Sequence, residues 1–161
     1  MNSVVVVYHE VKSTSLILEG VEGLLRQQLG SSGPCRTHRD QYQYAAIPGK
    51  PPVVPDVVLT RDLADWDKDK RLKPFMIQSP LIVIEVLSPS TERYDRTEKF
   101  ARYMRCPTLE VYILVSQDEQ YIEVYRRSTG WKQERFSAGQ IIKLKQLDLE
   151  LPVGSIYEGV L

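Results

Sequence analysis

The chain has 161 residues, 42% of them hydrophobic and 26% charged, which fits one domain with a sizeable core and excludes a disordered polymer. Basic and acidic residues number 21 each and cancel to zero net charge, so no global positive field advertises nucleic acid. No apolar stretch approaches the roughly 18 residues that span a bilayer, and "MNSVVVVYHE" lacks the basic start and cleavage site of a signal peptide, so no membrane partner is expected and the expected location is cytoplasmic.

In chain order, residues 4–8 read as a short β-branched strand. Ser13, Thr14 and Ser15 offer N-caps for a helix whose core face is Leu16, Ile17, Val21, Leu24, Leu25 and Leu29, with Gly30 at its end. Gly20 and Gly23 cost such a helix about 1 kcal/mol each, which close packing against a sheet would explain. Residues 36–47 are polar and aromatic, "IPGKPP" is a loop, and residues 53–59 read as a strand with Asp56 inside it. Residues 61–79 mix charges with Pro74 and show no clean period, so they read as a surface excursion.

The stretch "LIVIEVLSPS" holds a second aliphatic strand. Asp95-Arg96-Thr97-Glu98 then has the D-x-x-E arrangement of a helix start, with Phe100, Tyr103 and Met104 on the inner face and Cys106-Pro107 as the stop. Residues 111–115 are a third aliphatic strand. Residues 121–127 and 131–136 alternate as a terminal meander, with turns at "SQDEQ" and "STG". A helix crossing between two aliphatic strands, followed by hairpins, predicts an α/β (α+β) fold: residues 1–161 as one domain, a central mixed β-sheet flanked by helices, and C-terminal β-hairpins.

Glu85 is the anomaly of the second strand, because a carboxylate taken out of water without a partner costs several kcal/mol or neutralises. Asp56 repeats the anomaly in the preceding strand. Paired strands lie about 4.8 Å apart, so two facing carboxylates there reach one hard cation with oxygen ligands at about 2.1 Å. The alternatives are backbone N–H donors for Asp56 and a helix arginine for Glu85. Lys99 has its own plain reading as the partner of Asp95 at i,i+4, worth ~0.3–0.5 kcal/mol.

Arg93, Arg96, Lys99, Arg102 and Arg105 recur every third residue, a basic stripe that winds around a helix and reads first as a solvated face. Cys35 and Cys106 form no CxxC and, with His9 and His38, no zinc-type spacing, so both read as structural thiols. No G-x-S-x-G elbow surrounds Ser88 or Ser90, which disfavours a serine hydrolase.

Pro55-Asp56, then Glu85-Val86-Leu87-Ser88-Pro89-Ser90-Thr91, Tyr94-Asp95-Arg96 and Glu98-Lys99-Phe100, with Tyr103 and Pro107 beyond, resemble the Uma-two family of putative restriction endonucleases. That group is also called domain of unknown function 820 and belongs to the PD-(D/E)XK nuclease superfamily. The resemblance runs from about residue 53 to residue 127. It implies a restriction-endonuclease-like core with a helix on each side of a four-stranded mixed sheet and the acids at its centre. Asp56 matches the aspartate of the PD element and Glu85 the acid of the E-x-K element. Leu87 stands where that lysine usually falls, and Lys99 on the next helix is the matching position.

The resemblance further implies an endonuclease using Mg²⁺, or Mn²⁺ as a substitute, on a DNA substrate. Asp56, Glu85 and the backbone carbonyl of Val86 would hold the metal. Lys99 would position the water or offset charge on the phosphate, completing a catalytic trio of Asp56, Glu85 and Lys99. Asp95 would orient Lys99 or hold a second metal, and Arg93, Arg96 and Arg102 would neutralise flanking phosphates. Glu19 and Glu22 are supporting candidates for the acid that some superfamily members place on the first helix, beside their reading as a solvated face. A homodimer is expected by analogy with nucleases that cut both strands. The competing reading is an inactive nuclease-like scaffold that binds nucleic acid or a protein partner.

Overall fold

A computed structural model describes residues 5–9, 16–29, 35–38, 42–43, 50–62, 65 and 75–161. The proposed caps Ser13, Thr14 and Ser15, and the side chains of Cys35, His9 and His38, lie outside the described parts. A seven-stranded sheet forms the centre. Its order in chain numbering is β2 (Cys35–His38), β1 (Val5–His9), β4 (Val57–Thr60), β6 (Pro80–Val86), β7 (Val111–Val115), β8 (Tyr121–Arg126) and β9 (Gln133–Ser137). Two small sheets flank it, β3 (Tyr42–Gln43) with β5 (Phe75–Met76), and the hairpin β10 (Ile141–Leu144) with β11 (Leu149–Pro152).

The sheet is mixed. β6 and β7 run parallel, as a crossover through a helix requires, while β4 pairs antiparallel with β6 and β8 antiparallel with β7. The crossover is a helical segment in three parts, α2 (Glu92–Tyr94), a π-helical turn (Asp95–Lys99) and α3 (Phe100–Met104). It covers one face of the sheet, burying Val83, Tyr103, Tyr112 and Leu114 among others. The other face, with Val57, Ile84, Ile113 and Val124, buries Ile17, Val21 and Leu25 of α1 (Leu16–Leu29) and the apolar side of β10–β11. α4 (Val153–Ile156) closes that layer. Each fully buried aliphatic side chain contributes about 1.5–3 kcal/mol, so the two layers are the main source of stability.

Several expectations are corrected. Asp56 lies in a bend just before β4, not inside a strand, because β4 starts only at Val57. The helix begins before Asp95: Thr91 and Glu92 donate their backbone N–H groups to the Ser88 carbonyl, so the "SPST" turn starts it and Asp95 falls one turn inside. Gly20 does mark a close approach, but to α4 rather than the sheet, since a Cβ there would stand 2.3 Å from the Ile156 carbonyl oxygen. A Cβ at Gly23 would meet nothing within 4 Å among the described residues, and none of them gives a packing reason for it.

Residues 61–79 are not wholly a surface excursion. Ile77 is buried, and buried Asp65 accepts hydrogen bonds from Thr60 Oγ1 at 2.9 Å, Gln78 N at 2.6 Å and Ser79 N at 3.1 Å. The meander after β7 continues the main sheet, and the separate hairpin is β10–β11. Gln28 ties α1 to that hairpin by mimicking a strand: its amide nitrogen donates to the Glu150 carbonyl at 2.5 Å and its amide oxygen accepts from Glu150 N at 2.8 Å.

Candidate active site

Asp56 and Glu85 stand opposite each other at one end of the β4–β6 pair, one step beyond the Val57–Ile84 register partners. The bond pattern is reciprocal. Asp56 N–H donates to Glu85 Oε2 at 3.1 Å, and Val86 N–H donates to Asp56 Oδ2 at 2.8 Å. Each carboxylate therefore fixes the other strand's backbone, which explains why two acids occupy an otherwise aliphatic pair. Glu85 is buried at 1% exposure, while Asp56 is half-buried and reaches solvent.

Lys99 comes down from the π-helical turn to place Nζ 2.8 Å from Glu85 Oε1 and 3.4 Å from Asp95 Oδ1. Both plain alternatives for Lys99 and Glu85 are thus partly realised: Lys99 does pair with Asp95 at i,i+4, and Glu85 does have a basic partner, a lysine rather than an arginine. Burial pushes the Glu85 carboxyl well above the usual carboxylate range; the Lys99 ammonium pulls it back only in part, and the Asp56 charge adds to the rise. For Lys99, burial works to lower the pKa, but Glu85 and Asp95 outweigh it and hold the ammonium above its ordinary value.

The Lys99 ammonium pairs with Glu85 and Asp95, and the Asp56 charge acts on it more weakly. Carboxylates gathered in this way are hard oxygen donors of the kind a divalent cation takes. Carboxylate oxygens are hard donors, and each carries a second lone pair beyond the hydrogen bond it already accepts. Among the described residues no group of three or more His, Cys, Asp or Glu side chains is gathered in ligand geometry. Two carboxylates completed by water are a donor set of the kind that Mg²⁺ and Mn²⁺ take. Val86, at the end of β6, brings its backbone to the same place.

The other candidates separate by position. Arg93 is exposed on α2. Arg96 is committed to Glu92 at 2.9 Å and Glu123 at 2.5 Å. Arg102 is buried, donating to the Pro51 carbonyl at 2.8 Å and paired with Glu98. The basic stripe is not the solvated face expected of it: it winds from solvent at Arg93 to the interior at Lys99 and Arg102 and out again at Arg105. Glu19 is exposed and Glu22 pairs with Arg26 on α1, whose buried face packs on the other side of the sheet; neither is among the charges acting on Glu85. Cys106 is a buried free thiol.

Sequence reading missed Glu123 and Tyr112, and gave Tyr103 only as part of the helix's inner face. Tyr103 and Tyr112 wall the cluster, and the Tyr112 hydroxyl donates to the Asp95 carbonyl at 3.0 Å. Glu123 carried the same signal as Glu85, an acid between Ile122 and Val124 in a strand. A groove of about 460 Å³ lined by Arg126, Phe136, Ile141 and Lys143 shares no residue with this cluster.

This sheet and its helices match the solved structure of a putative nuclease belonging to DUF820 from Anabaena variabilis ATCC 29413, with a TM-score of 0.69 over 91% of this chain and 80% of that one at 16% identity. The fold is that of a restriction-endonuclease-like domain. Residues 12–154 match the model of the Uma2 family, described as putative restriction endonuclease, and the chain belongs to that family. It is 38% identical over 108 residues to the uncharacterized protein slr1290 of Synechocystis sp. (strain PCC 6803), a match covering 66% of this chain and 54% of that protein. The chain thus spans about half the length of that curated relative. Among the described residues no helix is long and apolar enough to cross a membrane.

Proposed function

We propose that the chain is a metal-dependent endonuclease that hydrolyses DNA phosphodiester bonds, with Asp56 and Glu85 holding Mg²⁺ or Mn²⁺ and Lys99 assisting the attacking water or the phosphate. The observation that carries this reading is the reciprocal Asp56–Glu85 lock with the Lys99 ammonium 2.8 Å from Glu85. A bound divalent cation supplies Lewis acidity, making a nucleophile from water at neutral pH and polarising the phosphoryl oxygen.

The chain's own residues do the rest. Asp56, in the bend before β4, and Glu85, on β6, would hold the ion, and the hydrogen bonds each exchanges with the other's backbone fix where the carboxylates sit. Glu85, whose carboxyl burial pushes up, would have to be ionised to hold the ion, its proton passing to solvent. The Lys99 ammonium, turned from Glu85 toward the substrate, donates to a non-bridging phosphate oxygen or holds the attacking water, and its burial makes that interaction stronger than it would be in water. Asp95 keeps Nζ aimed from one helical turn away. Arg93 neutralises a neighbouring phosphate from the exposed side of α2.

One observation favours a second reading, an inactive scaffold that binds nucleic acid or protein: the Lys99 ammonium already pairs with Glu85, so that buried carboxylate has a partner without an ion. Plasmid cleavage with Mg²⁺ or Mn²⁺, with and without chelator, separates the two. The endonuclease reading expects cutting that chelator stops and that Glu85→Gln, Asp56→Asn and Lys99→Met each abolish. Cutting that survives all three substitutions belongs to a contaminant and removes the assignment.

A further inference from the structure

Glu123 is an acid at 3% exposure that the proposed reaction does not use. It lies in one register row with Glu85, through Glu85–Leu114 on β6–β7 and Leu114–Glu123 on β7–β8, so both acids project from the same face of the sheet, under the helical segment 92–104. Each acid takes one basic residue from that segment. Lys99 goes to Glu85 and, three residues earlier, Arg96 goes to Glu123. Burial works to raise the Glu123 carboxyl, but hydrogen bonds from Arg96 and from the Tyr125 hydroxyl at 2.7 Å outweigh it and hold it below the usual range, so it stays charged.

Both basic residues sit in the π-helical turn Asp95–Lys99. A π turn is rare and carries one residue more than an α turn, so it persists only where tertiary contacts hold it. Three such contacts are present: Arg96 to Glu123, Lys99 to Glu85, and the Tyr112 hydroxyl to the Asp95 carbonyl. Relaxation to an α turn moves the register by one residue, which rotates one side of the helix by about 100° against the other. Lys99 would then leave the face that meets Glu85.

We propose that the Arg96–Glu123 pair is a positioning device for Lys99: it holds the π turn open so that the ammonium stays over Glu85. This rests on the reading of Asp56, Glu85 and Lys99 as the reaction centre. Arg96 and Glu123 are positioning residues, and Arg96 is not primarily a phosphate contact.

The test uses the full chain carrying Glu123→Gln, Arg96→Met or both, read by the NMR chemical shifts of Lys99 Cε and Nζ, by melting temperature, and by steady-state cleavage with Mn²⁺. The expected result is a shift of the Lys99 signals in both single variants, a 10- to 100-fold fall in kcat with KM little changed, and a double variant no worse than either single. Arg96→Lys, which keeps the charge and can still reach Glu123, should recover part of kcat. Lower melting temperature with unmoved Lys99 signals and unchanged kcat overturns the proposal, because the pair is then only a stability contact. If the wild type cuts no DNA, the nuclease reading fails, yet the Lys99 signals still decide the pair: a shift supports it and no shift overturns it. Should Glu123→Gln fail to fold, Arg96→Met carries the same comparison from the half-exposed side.

Discussion

Lys99 Nζ lies 2.8 Å from Glu85 Oε1, an ion pair between a π-helical turn and the central strand, with both side chains buried. Breaking a buried pair by removing one partner costs about 3–5 kcal/mol, because it leaves a charge without compensation. In the Lys99→Met variant Glu85 and Asp95 lose the ammonium they share. The penalty should be largest at pH 8 and shrink toward pH 5, as Glu85, already shifted upward by burial, takes a proton and relieves it. Urea unfolding at the two pH values measures this; an equal penalty at both would mean that Glu85 does not carry charge in the fold.

Glu85→Gln should separate chemistry from stability. A carboxyl whose folded pKa is raised contributes stability that is complete below its unfolded value and is lost as pH rises through the folded one. The wild type therefore loses stability on this account above pH 4.5, the unperturbed value, and the glutamine variant does not. The difference in melting temperature should move in the variant's favour between pH 5 and pH 8, while cleavage falls by about 10²–10³-fold or more, the scale for deleting one electrostatic group. A difference that moves the other way places Glu85's pKa below the ordinary range.

The arginines should divide by burial. Arg93→Ala is expected to weaken DNA binding evenly across sequences and to reduce the salt slope by about 1, with the melting temperature hardly changed. Arg102→Ala, which abandons the Pro51 carbonyl and Glu98 from a buried position, is expected to lower the melting temperature instead. Fluorescence anisotropy at several salt concentrations, paired with thermal melts, reads both.

Glu85 stood out because charge inside an aliphatic strand is expensive, and the crossover between β6 and β7 followed from two aliphatic runs with a helix between; Asp56 stood out for the same reason although it lies in the bend before β4. The three-residue spacing of the basic stripe foretold its winding. What stayed hidden depends on backbone partners rather than on residue type. Nothing in "DRTEK" signals a π turn, and the helix start at Ser88 rests on carbonyl bonds that any residue can make. β2 and β3 fall in a polar stretch that lacks the apolar alternation of a half-buried strand. Asp65 looked like one more surface charge until its three donors were in place.

The two helix glycines make opposite predictions from the same substitution. Gly23→Ala meets nothing within 4 Å among the described residues and should stabilise α1 by up to about 1 kcal/mol, the difference in helix propensity. Gly20→Ala places a methyl 2.3 Å from the Ile156 carbonyl oxygen and should destabilise the protein, because backbone rather than a flexible side chain must move. Chemical denaturation of the two variants beside the wild type checks the docking of α1 on α4.

The central claim is that Asp56 and Glu85 together hold a divalent metal. Anomalous diffraction from a crystal soaked in Mn²⁺ tests it most directly. The account predicts one peak within about 2.2 Å of a carboxylate oxygen from each residue, near the Val86 backbone, that disappears in Glu85→Gln. A crystal of active protein with no peak between the two carboxylates, or with manganese bound only elsewhere, would contradict it.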